Sequence, residues 1–188
     1  ELLQPNAKPG DIKFVDVNGD GVIDGNDRDY IGNPLPDVTA GLTLGVNFHN
    51  FDLSLFFQGM FGNDVYDLTR YVGDFYNQSQ YNKNSRVVNA WTPTNTNTDI
   101  PRVTMDDPNN NIRPSSYYVQ DASFVRLKNM KIGYSVPQSI LSKIKFNSLY
   151  IYAQATNLFT ITGYDGIDPE VGCLLYTSPS PRDYAASR

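Results

Sequence analysis

Cysteine and histidine are almost missing from this chain. One of each, Cys173 and His49, occurs in 188 residues. A lone cysteine excludes a disulfide within the chain. A lone histidine leaves little material for a zinc site or a catalytic triad. No G-x-S-x-G, phosphate-binding loop or H-E-x-x-H is present, so no enzymatic activity is expected. No apolar run reaches about 18 residues, which excludes a membrane-spanning helix. The net charge is −5, and nucleic acid is not an expected partner, because phosphates need basic clusters. The opening ELLQPNAKPG has neither the basic start nor the apolar stretch of a secretion signal. The chain is therefore read as an internal piece of something longer.

Aromatic residues are plentiful, at 13%, and Tyr and Phe far outnumber Trp. Asn, Thr, Ser and Gly fill the gaps, a β-rich composition. A short β-like stretch falls at Ile12–Val15. Strict alternation begins at Ala40, Leu42, Leu44, Val46 and Phe48, with small or polar residues between them. His49-Asn50 reads as a two-residue turn. Alternation then resumes with Phe51, Leu53, Leu55 and Phe57, while Phe56 is an exception on the polar face. Two strands of about ten residues with one apolar face match a membrane-spanning barrel. A soluble sandwich also alternates, although its strands are usually about 5–6 residues long.

A third strand is expected within YYVQDASFVRLKNMKIGYSV. Its apolar phase slips by one residue, which predicts a β-bulge near Lys128–Asn129. A helical turn is expected at Gln138–Lys143 and a fourth strand in LYIYAQATNLFTIT. The connections alternate between short and long, as in outer-membrane barrels. Phe48 and Phe51 would form a girdle at one rim, with Phe57, Phe61 and Tyr118 near the other.

The stretch DVNGDGVIDGND has the spacing of a calcium loop. Its ligands would be Asp16, Asn18, Asp20, Val22 through its carbonyl, Asp24 and Asp27, with Gly21 at the bend. The twelfth position is Asp where such loops carry a bidentate Glu, and flanking helices are missing. The other reading is a solvated acidic turn whose side chains cap the local backbone. Calcium is the cofactor this spacing would take, and no other is expected. Tyr71, Phe75, Tyr76, Tyr81 and Trp91 are candidates for stacking on a substrate sugar, or for packing a large loop on itself. Arg126 and Lys128 are candidate lumen-facing cations.

Three blocks carry a family resemblance: GDIKFVDVNGDGVIDGNDRDYIGNPLPDVTAGLTLGVNFHNFDLSLFFQG, SSYYVQDASFVRLKNMKIGYSVP and LYIYAQATNLFTITGYDGIDPEVG. In this order they resemble the late-barrel segment of the SusC/RagA family of TonB-linked outer-membrane transporters, over residues 10–172. The resemblance implies an all-β fold: about four long strands of an antiparallel transmembrane β-barrel, with long extracellular loops. The complete barrel would have about 22 strands and a plug. It further implies import of glycans or peptides across the outer membrane. The implied partners are a SusD-type surface lipoprotein as lid, a TonB complex acting through an N-terminal part, and outer-membrane lipid.

On this scheme residues 1–37 are an extracellular loop with the acidic motif, and 38–61 are a barrel hairpin. Residues 62–116 are a long extracellular loop. Residues 117–162 are a second hairpin with a short periplasmic connection, and 163–172 begin the next outer loop. Residues 173–188 continue none of the patterning and resemble adapter or vector read-through. The competing account is a soluble, calcium-stabilised β-domain that binds carbohydrate.

Overall fold

A computed structural model describes residues 3–76 and 82–170. The tail at 173–188 and Tyr81 lie outside the described residues. The described chain divides into two compact units, residues 33–64 with 121–170 and residues 3–32 with 65–120.

The first unit is one antiparallel sheet. Strand β1 (Val38–Phe48) turns through His49-Asn50 into β2 (Phe51–Phe61). His49 takes a left-handed φ of 54°, and the register closes on Phe48↔Phe51. Strands β5 (Phe124–Ser135) and β6 (Tyr150–Thr162) complete the order β1-β2-β5-β6. Between them lies α2 (Gln138–Ile144), one residue longer than the expected helical turn, ending at a left-handed Lys145. No helix among the described residues is long and apolar enough to cross a membrane.

The alternation maps onto two unlike faces. Leu42 opposes Phe57, Leu44 opposes Leu55 and Val46 opposes Leu53. The same face continues through Met130 and Ile132 on β5 to Ala155 and Ala153 on β6. Cross-strand neighbours of one type on one face are what period-two patterning produces. The opposite face carries Thr39, Thr43, Asn47, Asp52, Ser54 and Lys131. Phe56 sits there as the sequence suggests, with its ring leaning over Gly41.

The bulge falls where the phase slip places it. Phe56 pairs with Asn129 and Phe57 with Leu127, so Lys128 has no counterpart on β2. On the other side Leu127 pairs with Phe159 and Asn129 with Thr156. Here β6 passes two further residues, of which Asn157 is left-handed at φ 51°. Asn tolerates that region better than most residues.

No second layer covers the apolar face among the described residues. Leu42 and Leu44 remain 54% and 44% exposed, and Val46, Phe48, Phe51, Ile132, Ile151, Phe159 and Ile161 are exposed with them. A soluble sandwich would bury this set, so the soluble β-domain does not describe the sheet. The four strand ends at Val38, Phe61, Phe124 and Thr162 share one end of the sheet. The long connections leave from that end and the short ones from the other.

The second unit is more ordered than a loop. It contains α1 (Leu68–Gly73), capped by the Asp67 carboxylate, which accepts from the Thr69 and Arg70 N–H groups. The short strands β3 (Asp64–Tyr66) and β4 (Val119–Asp121) pair as a two-stranded sheet. Tyr118 is fully buried, not at a barrel rim. It ends a 3-10 turn, Ser116–Tyr118, so the third long strand starts only at Phe124. Tyr118 packs with Phe75, Ile112, Tyr66, Tyr71 and Tyr117. Val87, Ala90 and Ile100 form a second small core.

Ile12–Val15 is not a strand. Side-chain amides occupy its backbone groups instead. Asn111 Oδ1 accepts from the Ile12 N–H and Gln4 Oε1 from the Phe14 N–H, while Gln4 and Asn109 donate to the Ile12 carbonyl. Buried backbone groups need partners, and these serve in place of a ladder.

Next to this segment Gly10 holds φ +87° beneath the Trp91 ring, where a Cβ would come within 2.4 Å of Cε3. Asp11 and Arg102 form an ion pair at 2.6 Å with the carboxylate almost fully buried. Burial opposes the charge on Asp11, but bonds from Arg102, Asn111 and the Lys8 N–H outweigh it and hold its pKa below the ordinary 3.8. A depressed carboxylate stabilises the fold above its unfolded pKa and stops doing so as pH falls through the folded value. Trp91 is the chain's one tryptophan. Its emission is expected to stay constant from neutral pH down to about 4 and to change below that, as this carboxyl protonates. Asp11→Asn is expected to show the acid-like emission already at pH 7. Identical spectra for the two chains across the titration would refute this.

Candidate functional site

Arg126 lies on the polar face of the sheet, opposite Gln58 on β2 and Thr160 on β6. It is only 5% exposed, and every guanidinium nitrogen is used. Nε donates to Thr160 Oγ1 at 2.7 Å, Nη1 to Glu170 at 2.7 Å and Nη2 to Asp168 at 2.5 Å. Lys128, the bulged residue, reaches Glu170 at 2.6 Å. The two cations are thus brought together, and carboxylates of the same chain sit between them. Chiefly through Arg126, the Asp168 carboxyl is held below its ordinary pKa. The sequence singled out the bases but not their acids, which lie about 40 residues on in an ordinary-looking turn.

Further along the same face, the Tyr150 hydroxyl donates to Asp52 at 2.7 Å. It crosses over Gly133, where a Cβ would clash with the hydroxyl. Lys131 Nζ stands 5.0 Å from the ring centres of both Tyr150 and Tyr152. A charged group over aromatic faces is attracted by their quadrupoles. This face is therefore a polar wall with ordered charges.

In the acidic loop the side chains turn toward their own backbone. Asp16 accepts from the Gly19 and Gly21 N–H groups, Asn18 from Asp20 and Asp20 from Val22. Asp27 accepts from Val17 at 2.9 Å through one oxygen and from Asp24 at 2.7 Å through the other. The Asp24 N–H contributes most to holding the Asp27 pKa below 3.8. Among the described residues no three acidic, His or Cys side chains gather as metal ligands. The calcium spacing of Asp16, Asn18, Asp20, Val22, Asp24 and Asp27 thus falls on one turn whose side chains also cap its own backbone.

The loop forms one wall of a groove of about 840 Å³. Ile12, Phe14 and Val17 line it, with Ile23, Ile31 and Tyr117. Arg113 stacks 4.1 Å over the Phe14 ring. The apolar residues around the acidic motif were the sequence's signal for this groove, and strand-like patterning disguised it.

The aromatic candidates divide. Phe75 is 6% exposed, and Tyr71 is partly buried against the same cluster. The half-buried Trp91 ring lies over Gly10. Tyr76 is exposed, with Lys83 5.4 Å from its ring centre. Packing of the large loop on itself engages Phe75 and Tyr71.

A single sheet with one bare apolar face and one charged polar face is the wall of a membrane barrel, open here at both edges. Comparisons agree. The chain is 40% identical over 168 residues to TonB-dependent receptor P3 of Formosa agariphila, covering 89% of this chain and 16% of that protein. It is 30% identical to TonB-dependent receptor SusC of Bacteroides thetaiotaomicron over 185 residues, 97% of this chain and 17% of that one. Among solved structures it resembles the RagAB peptide transporter, with TM-score 0.61 and 32% identity over 73% of this chain and 15% of that chain. No family model matches. The chain belongs with the TonB-dependent receptors of SusC/RagA type, as a segment of the barrel. It spans about one sixth of the length of the curated relatives it matches.

Proposed function

We propose that the chain contributes part of the outer-membrane barrel of a TonB-dependent importer of glycans or peptides. A SusD-type surface lipoprotein would cap the end from which the long connections leave. Outer-membrane lipid would cover the Leu42–Leu44–Val46 face, and a TonB complex would supply energy through another part of the protein. One observation carries this reading: the sheet leaves a continuous apolar face bare while its other face is polar and charged. A lipid surround stabilises that combination.

Disrupting the gene in its native cell tests the reading. Uptake of a fluorescent oligosaccharide or peptide is expected to fall to the level of cells lacking TonB. Unchanged uptake of every tested glycan and peptide would overturn the assignment.

A further inference from the structure

The segment after β6 does more than leave the sheet. The Glu170 N–H donates to Asp168 Oδ1 at 2.9 Å, so one turn presents both carboxylates together. Pro169 between them is buried, whereas Ile167 is 95% exposed. Both carboxylates land on Arg126, and Glu170 also takes Lys128. Most of the polar face on β1 and β2 stays open; Arg126 is buried where this segment lies.

We propose that Arg126 and Lys128 form a charge clasp that holds residues 163–170 as a releasable strap on the polar face of the sheet. The clasp is built for a fork. Arg126 donates to two separate carboxylates from two fixed nitrogens, Nη1 to Glu170 and Nη2 to Asp168, and both bonds are charge-assisted. The bulge supplies the second cation by adding Lys128 beside it. When the strap lifts, water reaches the guanidinium, so opening does not strand a buried charge. The open state leaves two adjacent cations facing the polar side. The clasp goes beyond the transport reading, because it concerns the state of the strap and not what crosses the wall.

Hydrogen exchange on the full chain reconstituted in lipid tests it. The 163–170 peptide reports the strap, and the β5–β6 ladder amides report the sheet separately. Arg126→Gln is expected to raise strap exchange about tenfold or more, as charge-assisted bonds are lost, with ladder protection retained. The double change Asp168→Asn with Glu170→Gln, which leaves β5 untouched, is expected to do the same and decides the matter if the first variant fails to fold. Raising salt from about 0.15 to about 1 M should loosen the wild-type strap and barely affect either variant. Unchanged strap exchange in the double variant overturns the proposal. So does a parallel loss of ladder protection there, because the carboxylates would then be holding the sheet.

Discussion

Leu44→Arg is expected to destabilise the sheet in a lipid bilayer by about 2–4 kcal/mol, the cost of a cation on the lipid face near the membrane midplane. Leu44 sits near the middle of β1, opposite Leu55, and is bare. Thr43→Arg, one residue away on the opposite face, is expected to cost far less, because that face already carries Lys131 and Asp52. Urea unfolding of the full chain in phospholipid vesicles separates the two. The contrast is the diagnostic quantity, since strand propensity and edge position are nearly shared by neighbours. In a soluble sandwich Leu44→Arg would also be costly, but detergent or lipid would not be needed for the wild type to fold. Equal effects at 43 and 44 would mean that the faces are not divided between lipid and water.

Tyr118→Ala is expected to cost about 3–5 kcal/mol, the usual loss for truncating a buried aromatic. Tyr118 is the hub of the second unit. Its ring lies 5.2 Å from Tyr117, 5.3 Å from Tyr66, 5.8 Å from Tyr71 and 6.1 Å from Phe75. Its hydroxyl donates to the Ile112 carbonyl at 3.1 Å, and burial pushes its pKa above the tyrosine range. Tyr118→Phe keeps the packing and loses one hydrogen bond, about 1 kcal/mol. Limited proteolysis of residues 65–120 reads the difference. The alanine variant is expected to be cut rapidly there, while β1–β2 stays protected. If both variants resist equally, the unit is held by something other than this cluster.

The sheet was legible because its signals are local. Alternation from Ala40 to Phe57 assigns faces with no knowledge of partners, and the phase slip around Asn129 places the bulge. The second unit hides its signals in distance. Asn111 donates to Asp11 across 100 positions and Gln4 to Asn109 across 105. No periodicity announces a side-chain amide that stands in for a strand, so Ile12–Val15 looks like β-structure and is not. Tyr118 looked like a rim aromatic because Tyr117 to Val136 reads as one strand. The fold breaks that run at Asp121–Phe124 and turns its start into a core. At the site, Arg126 and Lys128 were visible as inward charges. Their carboxylates were not, because only the return of the chain after β6 delivers them. The acidic motif is legible as a spacing, and the structure adds that its side chains accept from the local backbone.

The surplus residue Lys128 on β5 and the residues around Asn157 on β6 fall at one level on two neighbouring strands. Together they make a crease. An extra residue bends its strand and sharpens the local twist, so a sheet creased along one line curls about that line more readily than a flat one. Deleting Lys128 would put Val125, Leu127, Met130 and Ile132 in one uninterrupted phase. It would leave a straighter β5 and remove the cation beside Arg126. The single surplus residue therefore serves the curvature of the wall, which a cylinder must have before it can close.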